Sequence, residues 1–215
     1  MSLLGTSFLL ITAVSISIFY YGTGKNRSIQ LPFTIWILVI GISSYLGFWE
    51  NTTSFPPRMI ILFLSIIGLV VFLFRQIEVT DIHEGWLTSI HILRIPVELT
   101  LLKLFLSGQL PEIMTFQGWN FDIVVGITAI PLLFMYWFKV QISPTLLRYW
   151  NIFGIVMLAI IVTVAILSAP TPLQQLAFEQ PNRAVTQFPY TFLPAVVVPL
   201  VFISHLLTLK RLAMK

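Results

Sequence analysis

The sequence lacks cysteine altogether and has few charged residues. None of its 215 residues is cysteine, which excludes disulfide bonds, thiolate metal sites, iron–sulfur clusters and cysteine nucleophiles. Charged residues make up 9% of the chain, whereas soluble domains have about 25%. A chain this poor in charge and 57% hydrophobic is not expected to be a soluble domain, a disordered segment or a nucleic-acid-binding protein.

Long apolar runs are what the sequence has instead. A helix needs about 20 mainly apolar residues to cross the hydrocarbon core of a membrane, and seven segments approach or reach this length. They cover approximately residues 3–21, 31–49, 59–74, 85–110, 121–138, 150–168 and 189–207. The sequence therefore predicts an all-α membrane protein, a bundle of seven transmembrane helices that forms one domain over residues 1–215.

The distribution of basic residues predicts the orientation of this bundle. With the N-terminus outside, eight Lys and Arg residues fall in the cytosolic loops and tail, and two fall outside. Basic residues concentrate on the cytosolic side of membrane proteins, so we predict an outer N-terminus and a cytosolic C-terminus. The eight are Lys25, Arg27, Arg75, Lys139, Arg148, Lys210, Arg211 and Lys215, and the two are Arg58 and Arg183.

Ionisable residues interrupt the fourth apolar segment. His91, Arg94 and Glu98 are spaced i, i+3 and i+7, so they share one face of a helix. A charged residue at mid-bilayer costs about 2.5–3.5 kcal/mol on insertion scales, and we therefore predict that this face lines the bundle interior and that Arg94 pairs with Glu98 or with a ligand. The pair either orients helix packing only, or forms a site for a ligand, a proton or a substrate. Pro96 lies between the two charges and is expected to loosen the helix there.

Asn120 and Asp122 form a second group, immediately before the fifth apolar segment. One interpretation is that they cap the helix that follows. The other is that they form a polar rim over a cavity beside the fourth segment. The predicted ligand-binding set consists of His91, Arg94, Glu98, Asn120 and Asp122.

The remaining polar residues of the apolar segments give weaker indications. His205 lies in the last turn of the seventh segment, where we interpret it as an interfacial histidine, and Asn151 is expected to cap or to hydrogen-bond across helices. The histidines have no metal-ligand spacing, so neither a metal nor a cofactor is predicted. The seventh segment has no lysine, which excludes a retinal Schiff base within it. Its three prolines at five-residue spacing predict a bent or discontinuous helix.

The run HILRIPVELTLLKLFLSGQLPEIMTFQGWNFDIVVGITA, which begins at His91, resembles a segment of uncharacterised bacterial multi-span membrane proteins of about seven helices. The resemblance covers about 40 residues, under a fifth of the chain. It implies a multi-pass protein of the cell membrane, which is the inner membrane in a bacterium. It implies no activity and no functional residue.

Three functions follow from these patterns. The leading hypothesis is an integral membrane protein that binds or translocates a small molecule, a lipid or a proton at its intramembrane polar site. The first alternative is a membrane-embedded enzyme that acts on a lipid or an isoprenoid, with His91 and Glu98 as general base and acid. The second is an accessory subunit that docks another membrane protein. The expected partners are thus the lipid bilayer, a small-molecule or lipid ligand, or a membrane-protein partner.

Overall fold

The computed structural model describes residues 2–52 and 58–214, and helices account for its regular structure. The helices are α1 (Leu3–Gly22), α2 (Arg27–Tyr45), α3 (Arg58–Gln76), α4 (Glu84–Ser89), α5 (Arg94–Leu106), α6 (Asp122–Trp137), α7 (Pro144–Ser168) and α8 (Val198–Leu212). No strand occurs within the described residues. The predicted all-α class is therefore confirmed.

Two of the helical segments are internally irregular. A 3₁₀ turn at Ile90–Leu93 joins α4 to α5, so the fourth predicted segment is one broken helical stretch. This turn immediately precedes the first turn of α5, in which Pro96 removes a backbone donor. A π-helical turn at Leu193–Val197 leads into α8, and the predicted discontinuity of the seventh segment takes this form. Pro189 lies outside the helix.

Five of the described helical segments are long and apolar enough to cross a membrane. They are α1, α2, α3, α7 and the stretch Leu193–Leu212 that contains the π-turn and α8. The sixteen-residue α6 is apolar but shorter, and the broken stretch of α4 and α5 is divided into shorter pieces. Five spanning helices are thus supported by length and composition, and a seven-helix membrane bundle stays a prediction.

The Leu193–Leu212 stretch is the central element of the bundle. Inside the protein, 61% of its most apolar window is buried, against 17–28% for the other four candidate spans. It contacts α1, α3, α4 and α7, and its Leu200, Ile203 and Leu207 are fully buried. Polar side chains on this stretch therefore lie in the middle of the protein.

Large apolar side chains cover the outer faces of the surrounding helices. Leu31 and Leu38 of α2, Leu64 of α3 and Leu146 of α7 are each more than half exposed. So many exposed large apolar side chains are unusual for a protein in water. The outer faces of these helices are therefore apolar.

Candidate functional site

Four helical segments bring a group of polar side chains together at the centre of the bundle. The fourth segment supplies His91 from its 3₁₀ turn and Arg94 and Glu98 from α5. Asn120 lies in the loop before α6, Asp122 is the first residue of α6, Asn151 lies on α7 and His205 lies on α8. Each of the seven residues is at most 6% exposed. The interior position predicted for the face of His91, Arg94 and Glu98 is confirmed.

Arg94 crosses to α6 and α8 instead of bonding along its own helix. Its Nη1 donates to Oδ1 of Asp122 at 2.8 Å, and its Nη2 lies 2.9 Å from Nε2 of His205. The predicted Arg94–Glu98 pair is therefore wrong. Arg94 is the first residue of α5, where the long side chain can reach a carboxylate of a neighbouring helix, and Asp122 supplies one.

Glu98 is held by Asn120 through one carboxylate oxygen only. Asn120 Nδ2 donates to Oε1 of Glu98 at 2.6 Å and also lies 3.1 Å from the carbonyl oxygen of Met114. Oε2 of Glu98 is buried and has no hydrogen-bond partner in the described part of the chain. An unpaired polar atom inside a protein costs about 1–3 kcal/mol, so this oxygen marks an acceptor that is open to a donor.

Asn120 and Asp122 make contacts both at the start of α6 and across to the fourth segment. Asn120 Oδ1 accepts the backbone N–H of Asp122, the first residue of α6, at 3.1 Å, but the N-cap position itself is occupied by Phe121, which makes no side-chain capping hydrogen bond. The Asp122 carboxylate does not cap the helix but pairs with Arg94. Both residues also contact the fourth segment, as expected for a polar rim over it.

His205 is the residue that sequence reasoning misjudged. It is fully buried, and its Nδ1 lies 2.8 Å from Oδ1 of Asn151. The amide nitrogen of Asn151 donates to the carbonyl oxygen of Leu147, so Oδ1 is the acceptor and Nδ1 of His205 carries the proton. Nε2 is then free to accept from Arg94. Asn151 thus makes the cross-helix hydrogen bond that the sequence left open as one alternative.

A glycine of α7 makes room for this imidazole. A Cβ atom placed on Gly154 would lie less than 3.0 Å from Cε1 and Nε2 of His205, so any larger residue would overlap the ring. On its other side, the ring of His91 stacks on His205 with centroids 3.9 Å apart. Trp150 packs edge-on against both rings. The close approach of α7 and α8 therefore fixes the position of His205.

A cavity of about 50 Å³ adjoins the cluster. Arg94, Glu98 and Asp122 are among its lining residues, and the others are apolar side chains of the fourth segment (Leu93, Val97 and Leu101), of α7 and of the Leu193–Leu212 stretch. One buried water needs about 10–15 Å³ of such volume, so the cavity has room for a few waters or for one very small ligand. It is too small for a lipid.

A second polar group lies at the start of the fourth segment. Nε of Arg211 lies 3.0 Å from Oε1 of Glu84, and the Tyr136 hydroxyl donates to Oε2 of Glu84 at 3.0 Å. Buried Thr88 lies one turn further along α4. Glu84, Thr88, His91 and Glu98 have the sequence spacing of one helical face, and the 14 steps from Glu84 to Glu98 correspond to about 21 Å in an uninterrupted α-helix at 1.5 Å per residue.

Comparison with known proteins gives one match. Residues 55–213 match the family described as "Domain of unknown function (DUF8737)". No curated protein matches the chain, and no solved structure matches it.

Proposed function

The chain belongs to the DUF8737 family, whose description assigns no activity, and from the geometry of its buried site we propose that it is an integral membrane protein that binds and translocates protons. Glu98 is the central proton acceptor in this proposal. The observation that carries it is the buried and unpartnered Oε2 of Glu98, on a residue that lines a cavity large enough for only a few waters.

The charges of the cluster favour a proton over an anion. Two carboxyl groups, those of Glu98 and Asp122, face one guanidinium, which already contacts Asp122 and His205. When both carboxyl groups are ionised the cluster has one negative charge in excess, and a buried charge without a partner is costly. A proton on Glu98 removes this excess, whereas an anion would add to it.

The arrangement of the fourth segment supports a path along the bundle. Its polar face runs for about 21 Å, compared with about 30 Å for the hydrocarbon core of a bilayer. His205 and Arg211 of α8 contact Arg94 and Glu84 of this segment. Chains of Asp, Glu and His inside membrane proteins mark proton relays, and the 3₁₀ and π turns beside the cluster are irregularities that often occur at functional sites.

The proposal includes the membrane setting expected from the sequence. Five helices have the length and composition of membrane spans, and the shorter α6 and the broken α4–α5 stretch complete a seven-helix bundle around α8. The surrounding lipid bilayer contacts the exposed apolar faces. By the resemblance of residues 91–129 the membrane is a bacterial inner membrane, and by the distribution of basic residues the N-terminus is outside and the C-terminus is in the cytosol.

Proton flux into proteoliposomes tests the function. The purified protein is reconstituted into liposomes that contain a pH-sensitive dye, and a potassium diffusion potential is applied with valinomycin. We expect a faster pH change with the wild-type protein than in protein-free liposomes, and the protein-free rate with Glu98→Gln. This substitution keeps an oxygen that accepts from Asn120.

Glu112→Gln is the matched control for this assay. Glu112 is an exposed residue of the loop between α5 and α6, so its substitution removes the same charge outside the cluster and should leave the flux unchanged. Equal flux through wild type and Glu98→Gln would overturn the assignment of Glu98, and no flux above the protein-free rate in the wild type would overturn the function.

A further inference from the structure

A larger cavity of about 290 Å³ lies between α3 and α7, outside the Arg94 cluster. Its walls include Met59, Phe63 and Ile66 of α3 and Ile161, Val162 and Ala165 of α7. This volume is about twice that of an apolar cavity that takes up benzene, and it is close to the lower limit of known ligand pockets. The cavity is therefore large enough for part of an apolar chain.

The lining of this cavity is apolar apart from two residues, Asn182 and Thr171. None of its lining residues is charged. Asn182 is fully buried, and its Oδ1 has no hydrogen-bond partner among the described residues. Its amide nitrogen lies 3.3 Å from the carbonyl oxygen of Ala165, which fixes the orientation of the amide and leaves the oxygen as the open atom.

The open atom and the uncharged walls together select one ligand chemistry. Oδ1 is an acceptor, so the ligand must bring a hydrogen-bond donor. An ammonium group would be buried here without a counter-charge, which is far more costly than burying a hydroxyl group that makes a hydrogen bond. The ligand's polar end is therefore a neutral hydrogen-bond donor, of which a hydroxyl group is the smallest, and its remainder is apolar.

We propose that this cavity binds a single-chain lipid-like alcohol, with the apolar chain between α3 and α7 and the hydroxyl group donating to Oδ1 of Asn182. The exposed faces of Ile60 and Phe63, which are also lining residues, give the cavity an opening toward the surrounding lipid. This cavity shares the apolar residues Leu101, Ile161, Leu193 and Val198 with the small cavity beside Glu98, but the proposed hydrogen bond to Asn182 involves neither Glu98 nor proton transport.

Photo-crosslinking with defined probes tests this site. Three probes have the same alkyl chain with a diazirine group and differ only in their ends, which are an alcohol, a primary amine and a methyl group. After irradiation of the purified protein, mass spectrometry locates the labelled peptides. We expect the alcohol probe to label peptides of α3 and α7 at least about fivefold more than the amine and methyl probes do. A hydrogen bond of about 1 kcal/mol raises the affinity by about this factor.

Two substitutions and a matched control make the result specific. Ala165→Leu places three additional carbon atoms in the cavity, and Asn182→Leu removes the acceptor, so each should reduce labelling by the alcohol. Ala159→Leu makes the same change as Ala165→Leu on an exposed position of α7 and should leave labelling unchanged. Elution as a single species in size-exclusion chromatography is required of every variant.

The following results would overturn the proposal. Equal labelling by the amine and the alcohol would exclude the neutral donor, and labelling unaffected by Ala165→Leu would exclude this cavity. If Asn182→Leu fails to fold, Ala165→Leu alone decides the location and the comparison of the three probes in the wild type decides the chemistry.

Discussion

Replacing Gly154 with alanine should displace His205 and destabilise the protein. The added Cβ atom would lie less than 3.0 Å from Cε1 and Nε2 of the ring. Nε2 is the atom that faces Nη2 of Arg94, so a shift of the ring also removes a hydrogen bond from a buried guanidinium.

Both consequences contribute to the expected loss of stability. Overpacking a well-packed core costs about 1–3 kcal/mol. The loss of a hydrogen bond to a charged group costs about 1.5–3 kcal/mol. The preference of a helix interior for alanine over glycine offsets about 0.5–1 kcal/mol of this sum, so we expect Gly154→Ala to lower the free energy of unfolding by about 1.5–5.5 kcal/mol.

Denaturant unfolding in detergent micelles measures this change. The matched control is Gly68→Ala on α3, because a Cβ atom at Gly68 meets no atom within 4 Å. Alanine is favoured over glycine inside a helix by about 0.5–1 kcal/mol, so Gly68→Ala should be neutral or slightly stabilising. A double-mutant cycle with His205→Ala then isolates the contact, since truncation of the ring gives the new methyl group room.

Two results would refute this reasoning. One is a cost of Gly154→Ala no larger than that of Gly68→Ala. The other is full additivity with His205→Ala, which would mean that the methyl group destabilises the protein without touching the imidazole.

Two further predictions concern the ion pair and the orientation. Arg94→Leu should lower the free energy of unfolding by about 3–5 kcal/mol, because it leaves a buried carboxylate unpaired. The double variant Arg94→Leu/Asp122→Leu should recover much of this loss. Equal losses of the two variants in denaturant unfolding would show that the pair is not coupled. Reporter fusions after Arg27 should be cytosolic, and a reporter inserted at the exposed Phe178 should be outside; a cytosolic signal at Phe178 would contradict the predicted orientation.

Features set by local sequence could be predicted well. Apolar runs locate the helical segments, because an apolar segment inside a membrane has no water to bond its backbone and therefore satisfies its backbone hydrogen bonds internally, as a helix does. Spacing alone places His91, Arg94 and Glu98 on one face, and the cost of an exposed charge in lipid directs that face inward. Pro96 and Pro194 likewise indicate irregular backbone in the segments where the 3₁₀ and π turns occur.

Features set by the packing of distant segments could not be predicted. Arg94 and Asp122 are 28 residues apart, and Arg94 and His205 are 111 apart, so no periodicity relates them. Glu98 is the nearest carboxylate to Arg94 along the sequence, but the folded chain supplies a second carboxylate and an imidazole across the bundle. The one local sign of the His205 site is Gly154, three residues after Asn151, since small residues mark close helix approach in membrane bundles.

Infrared difference spectroscopy on Glu98 tests the central claim most directly. Spectra of the reconstituted protein at acidic and alkaline pH differ in the C=O stretch of any carboxyl group that takes up a proton, and a buried group with one free oxygen should give a separate band. We predict that this band is present in the wild type and in Glu112→Gln and absent in Glu98→Gln. A band that persists in Glu98→Gln would contradict the account, because another carboxyl group would then be the proton acceptor.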